Sequence, residues 1–180
     1  MKKINVKKDK ELYGVSRGKP VLVDIPPMNY LMIDGIGDPN TSKEYADAVE
    51  ALFAVSYTVK FAVKRGELAI DYGVMPLEGL WWADDMSTFT RNDKSTWRWT
   101  MLIMQPAFVP LELIQDAIVQ MTRKKDLRAL PRLRLEPLVE GKAAQILHVG
   151  PSPRKARRSS DSTSWLTRTA EDPGSTMRSI

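Results

Sequence analysis

DYGVMPLEGLWWADDMSTFTRNDKSTWRWTMLIMQ, residues 71–105, is the stretch from which the fold is read. Ala69 to Trp82 alternates as a strand, which puts Tyr72, Val74, Glu78, Leu80 and Trp82 on one face where the pleat is regular. Pro76 and Gly79 predict a break in that regularity. Ala83 to Ser95 is polar and reads as a hairpin loop. Thr96 to Gln105 is a second strand, with Trp97, Trp99, Met101 and Ile103 on one side and Arg98, Thr100, Leu102 and Met104 on the other. Both sides are largely apolar, as in a central strand covered twice. Four of the five tryptophans fall here, beside a single carboxylate, Glu78. Ring faces and a carboxylate suit a flat or cationic organic molecule. A tryptophan-rich core accounts for the same residues equally well.

On the N-terminal side, Thr41 and Glu44 have the spacing of a capping box, and Tyr45, Val49, Leu52, Val55 and Val59 then form one apolar stripe. A helix is predicted from there to about Lys64, ended by Gly66. Tyr57 lies off the centre of the stripe, with its hydroxyl available to a cavity, although packing is the commoner use of a helical tyrosine. Before the helix, Val21, Val23 and Ile25 alternate. Pro26-Pro27 interrupts them, and Tyr30 to Ile33 continues as a bent strand into the turn Asp34 to Asp38. Residues 1–20 are lysine-rich and read as an extended arm, with Leu12 and Tyr13 as its points of attachment.

On the C-terminal side, Pro110 opens a helix whose Leu111, Ile114, Ile118 and Met121 share a face. Its basic end, Arg123-Lys124-Lys125, complements the helix dipole. Arg132 to Val139 and Lys142 to Val149 are strands about a Glu140-Gly141 turn. Residues 21–150 thus form one domain, and residues 151–180 a Ser/Thr-rich basic tail predicted to be disordered. The sequence is α+β, an antiparallel sheet with helices.

Composition narrows the chemistry. The 180 residues carry a net charge of +5, of which the tail supplies +3 from six Lys/Arg against three Asp/Glu. The remaining +2 is ordinary, so nucleic acid is an unfavoured partner. No apolar run approaches the roughly 18 residues of a membrane span, and no signal-peptide core follows the charged start, so a soluble cytoplasmic protein is expected. There are no cysteines and one histidine, His148. Neither a metal nor a cofactor is expected from that inventory.

Several segments together resemble the GyrI-like small-molecule-binding family, particularly its stand-alone members. They are Met32-Ile33-Asp34-Gly35 with Gly37-Asp38-Pro39-Asn40, Pro76-Leu77-Glu78-Gly79-Leu80-Trp81-Trp82, Trp97-Arg98-Trp99-Thr100-Met101, Gln105-Pro106 and His148-Val149-Gly150-Pro151. The resemblance spans about Glu11 to Pro151. It implies paired β-α-β-β modules about a pseudo-twofold with a ligand cavity between them, the helix from Pro110 being an insertion. It also implies binding of a hydrophobic or cationic aromatic compound. In some stand-alone relatives the activity is hydrolysis of cyclopropane-bearing DNA-alkylating compounds. Carried over to matching positions, Glu78 is the candidate catalytic carboxylate. Trp81, Trp82, Trp97 and Trp99 are candidate ligand-binding residues, with Tyr57 and His148 as weaker ones.

After Pro151 the resemblance stops. Relatives continue with a helix near a Gly-Pro-Thr and a strand containing His-Glu-Ile-Tyr, so the second module here is expected to be incomplete. Reading permitted codons one base earlier turns Thr176 to Ile180 (ACC ATG AGA TCT ATC) into His-Glu-Ile-Tyr. The same offset allows Glu-Gly-Pro-Thr from Lys155 to Arg158 and Leu-His-Glu-Leu from Ser162 to Trp165. A frameshift, by mutation or sequencing error, is therefore the expectation for the tail. The competing functions are a non-catalytic sequestering protein and a nucleic-acid-associated protein that uses the basic tail.

Overall fold

The structure, a computed structural model, describes residues 2–8, 13–14, 19–85, 87, 93–151, 162–170 and 177–179. It is α+β with an antiparallel main sheet, as the alternation predicts. The strands are β1 (Lys2–Ile4), β2 (Val21–Ile25), β3 (Met28–Ile36), β4 (Ile70–Tyr72), β5 (Leu77–Trp82), β6 (Arg98–Gln105), β7 (Arg134–Leu138), β8 (Gly141–Pro151), β9 (Ser162–Ala170) and β10 (Met177–Ser179). Two α-helices are described, α1 (Lys43–Arg65) and α2 (Leu111–Lys124). β1 and β4 pair in parallel as a separate small sheet.

The main sheet has the order β2-β8-β9-β10-β5-β6-β3-β7. Its two ends continue interior strands, since only Pro26-Pro27 separates β2 from β3 and only Val139-Glu140 separates β7 from β8. Met28 stands opposite Leu138 and Ile25 opposite Gly141, so one register runs through both bends. Prolines cannot donate to a ladder, and Gly141 takes a positive φ of 62°, which is how each long strand turns its corner. The sheet thereby closes on itself through two bent strands.

The halves differ in how the chain reaches its strands. In the first, α1 carries the chain past the place of β6 to β5, and β6 returns between β5 and β3. In the second, β8, β9 and β10 are neighbours in chain order, and no helix is described among them. Residues 162–170 and 177–179, read from composition as part of a disordered tail, are strands here. Threonines alternating around Trp165 and Leu166 favour an extended chain once β8 offers a partner. The remainder of 152–180 lies outside the described residues.

Other boundaries move for local reasons. The N-cap of α1 is Ser42, whose Oγ accepts from the Tyr45 amide at 3.2 Å; Thr41 instead donates its own amide to the Asp38 carbonyl. The long strand expected from Ala69 to Trp82 is split into β4 and β5, which belong to different sheets. The N-terminal arm contributes β1 and a single 3-10 turn at Val6–Lys8, while Leu12 lies outside the described residues.

Apolar burial holds α1 to the sheet. Ala48, Leu52, Val55, Val59 and Val63 are buried with Leu31, Ile33, Met101 and Ile103 in one core. Tyr45, in the first turn, meets the rings of Trp81 and Trp99, so those two tryptophans face α1. Directly opposite residues of an antiparallel pair share a side. Leu77 with Ile103, Gly79 with Met101 and Trp81 with Trp99 therefore form the α1 side of the sheet. Glu78 with Leu102, Leu80 with Thr100 and Trp82 with Arg98 form the inner side.

Candidate functional site

Glu78 is 0% exposed. It lies at the second position of β5, with Leu102 opposite and Met32 beyond Leu102 in the same cross-strand row. A carboxylate without water is costly to keep charged unless donors reach it. One does, since the Tyr13 hydroxyl donates to Glu78 Oε1 at 3.4 Å. The next residue ties the arm elsewhere, with the Gly14 carbonyl accepting from Nε2 of Gln145, a buried residue of β8. Tyr13 and Gly14 thus connect the first half of the sheet to the second above the carboxylate.

A second polar group lies along the inner side, towards one end of β3. Thr100 Oγ1 donates to Asp34 Oδ1 at 2.6 Å, and Arg134 reaches the two Asp34 oxygens at 2.7 and 2.9 Å. Arg134 also donates to Glu136 at 2.8 Å. Burial works against the guanidinium charge, but these carboxylates outweigh it and hold the Arg134 pKa above its ordinary value. This fork joins β3, β6 and β7, with one guanidinium held between two carboxylates.

The tryptophans divide between the two sides. Trp99 is fully buried, edge-on to Tyr45 at 5.3 Å, and Trp81 stacks on Tyr45 at 6.2 Å. Trp97 meets Trp81 edge-on at 6.1 Å and carries the Lys94 ammonium 5.4 Å from its ring centroid. These three belong to one aromatic cluster under α1. Trp82 is the half-buried tryptophan on the side of Glu78, opposite Arg98, whose guanidinium binds Asp84 at 3.0 Å. Tyr57 is 48% exposed beside Phe53 on α1 and is not brought to Glu78. His148 occupies the β8 register position opposite Trp165.

Glu78 and Trp82 are therefore brought to one side, while Trp81, Trp97 and Trp99 pack on the other. Sequence reasoning missed Tyr45, Gln145 and the Asp34–Arg134 fork as neighbours of these residues. The one available signal was Tyr13, the point of attachment read from the arm. The basic end of α2 lines a separate groove of about 480 Å³ with Leu127, Leu130 and Pro131, and there Lys125 approaches Glu50 at 3.8 Å. Among the described residues no helix is long and apolar enough to cross a membrane.

No protein-family model matches the chain, and no curated protein does. Solved structures do. An uncharacterized conserved protein from Listeria innocua aligns with a TM-score of 0.73 at 30% identity, covering 98% of each chain. A hydrolase from Listeria innocua aligns with a TM-score of 0.72 at 31% identity, covering 99% of this chain and 98% of that one. A further hydrolase structure from the same organism gives 0.67 at 30% identity over 98% of both chains.

Proposed function

We propose, for a chain that belongs to the same family as these Listeria innocua proteins, a GyrI-like role: binding a hydrophobic or cationic aromatic molecule on the inner side of the sheet and hydrolysing it there. The observation that carries this reading is the complete burial of Glu78 on that side, away from the aromatic cluster under α1. Carboxylates are kept in such places chiefly where they meet a charge or take a proton. The hydrolase names of two relatives support turnover.

For an electrophilic cyclopropane the step balances simply. Glu78 takes a proton from water, the water oxygen bonds to a ring carbon, and the breaking carbon–carbon bond delivers its electron pair to the conjugated system. That system takes the proton back from Glu78. The site supplies orientation and a base, each an established source of rate.

The test uses a spirocyclopropyl dienone in ¹⁸O-labelled water with the full chain and with Glu78→Gln. Ring-opened product carrying the label is expected from the unaltered chain, at a rate about 10²–10⁴ above the variant. Equal rates would sink the assignment of Glu78. Quenching of tryptophan emission by the dienone without product would indicate sequestration instead.

A further inference from the structure

We infer that Tyr13 is a positioning residue of this site, holding the Glu78 carboxylate in place and favouring its charged form from an arm that is itself anchored to β8. The inference rests on the reading of Glu78 as the ligand-facing carboxylate, but its test needs no ligand.

Burial sets the problem that Tyr13 answers. Glu78 is 0% exposed, with apolar Leu102 and Met32 in its row, so each donor that reaches it favours its charged form. A phenol hydroxyl reaches Oε1 at 3.4 Å. The phenol has little freedom to leave, because its ring packs on the core and the adjoining Gly14 carbonyl is held by Gln145. Two consecutive residues of the arm therefore grip β5 in one half and β8 in the other. That double anchorage distinguishes the contact from a tyrosine resting casually on a surface.

Among the described residues, the charged and titratable groups on the elements around Glu78 include Arg168 of β9, opposite Gln145 and Arg178 in register, and Glu136 of β7, opposite Tyr30. From β6, Thr100 is neutral and Arg98 is bound to Asp84. From β3 come Tyr30, fully buried, and Asp34, held by Arg134 of β7. From β8, Gln145 is neutral, and on β10 Arg178 occupies the register position opposite Leu80. Tyr13 contacts Oε1 directly. Removing its hydroxyl while keeping the ring should leave packing intact and make the proton harder to lose.

The experiment follows the side-chain carboxyl carbon of Glu78 by ¹³C NMR in the full chain, assigned as the resonance that Glu78→Gln removes. In Tyr13→Phe its titration midpoint is expected to rise by about one pH unit, a tenfold change in the ionised-to-protonated ratio. Coincident midpoints overturn the inference, since a merely structural tyrosine would not move that titration. If Tyr13→Phe fails to fold, Gln145→Ala releases the Gly14 anchor and leaves the phenol in the chain. It carries the same expected direction and the same overturning result. A chain that shows the shift but neither binds nor opens the dienone removes the proposed function and leaves this inference standing.

Discussion

At the scale of single residues, Gly35 is dictated by a ring. A methyl group there would lie 2.2 Å from two carbons of the buried Trp99 indole, whose own position is set by Tyr45. Gly35→Ala is therefore expected to lower stability by about 3 kcal/mol, at the upper end of overpacking costs, as read from urea unfolding. Gly79 has the same role for Trp81, whose Nε1 would be 2.7 Å from an added Cβ. Tyr72 makes the opposite case. Its hydroxyl is buried with no hydrogen-bond partner, and burial pushes its pKa up to about 12. The folded chain holds that proton more tightly than the unfolded one. Stability from this group is thus present below the ordinary pKa of 10.0 and is lost as pH rises from there towards 12. Tyr72→Phe should raise stability at pH 7 by about 1 kcal/mol and flatten the alkaline loss in thermal melts followed from pH 8 to 12.

At the scale of elements, α1 depends on how its first turn is closed. Ser42 accepts from Tyr45, the same residue whose ring organises Trp81 and Trp99. Ser42→Ala is expected to cost about 1 kcal/mol in urea unfolding, with a near-ultraviolet circular dichroism change as the tryptophan cluster loosens. The helix itself was readable from Tyr45, Leu52, Val55 and Val59 because a stripe of period 3.6 has one physical explanation. The cap was misread by one residue because Thr41 and Ser42 are chemically alike, and only the path of the chain past Asp38 chooses between them. The tryptophans were harder still. Trp81-Trp82 and Trp97-Arg98-Trp99 show alternation, but which side faces α1 depends on the meeting of Tyr45 with two strands distant in sequence. That meeting separates Glu78 and Trp82 from the other three.

At the scale of the whole molecule, the described residues of the second half supply strands and no helix between β8 and β10. A helix lets a chain skip a strand position, and α1 does this between β3 and β5. In the second half β8, β9 and β10 instead pair in chain order. We propose, on the sequence alone, that residues 151–180 are translated from a shifted frame, since permitted codons for Thr176 to Ile180 read one base earlier give His-Glu-Ile-Tyr. The gene's nucleotide sequence tests this: the frame one base earlier is expected to encode a helix and His-Glu-Ile-Tyr, and its absence would refute the idea. The corresponding frame-restored protein should unfold at higher urea and bind the dienone at least tenfold more tightly, about 1.4 kcal/mol. Equal affinities would show that the present terminus completes the site.

The sequence by itself determined the α+β class, the two described helices and the strands from Val21 to Val149, because periodicity is a local property, whereas the strands of 162–170 and 177–179 join the same sheet and were not legible in composition. Tertiary structure decided that the sheet closes through Pro26-Pro27 and Val139-Glu140, that Trp99 is core, and that Tyr13 reaches Glu78 across 65 residues. Those outcomes depend on strand register and on which faces meet, and neither is written in any one stretch of the chain.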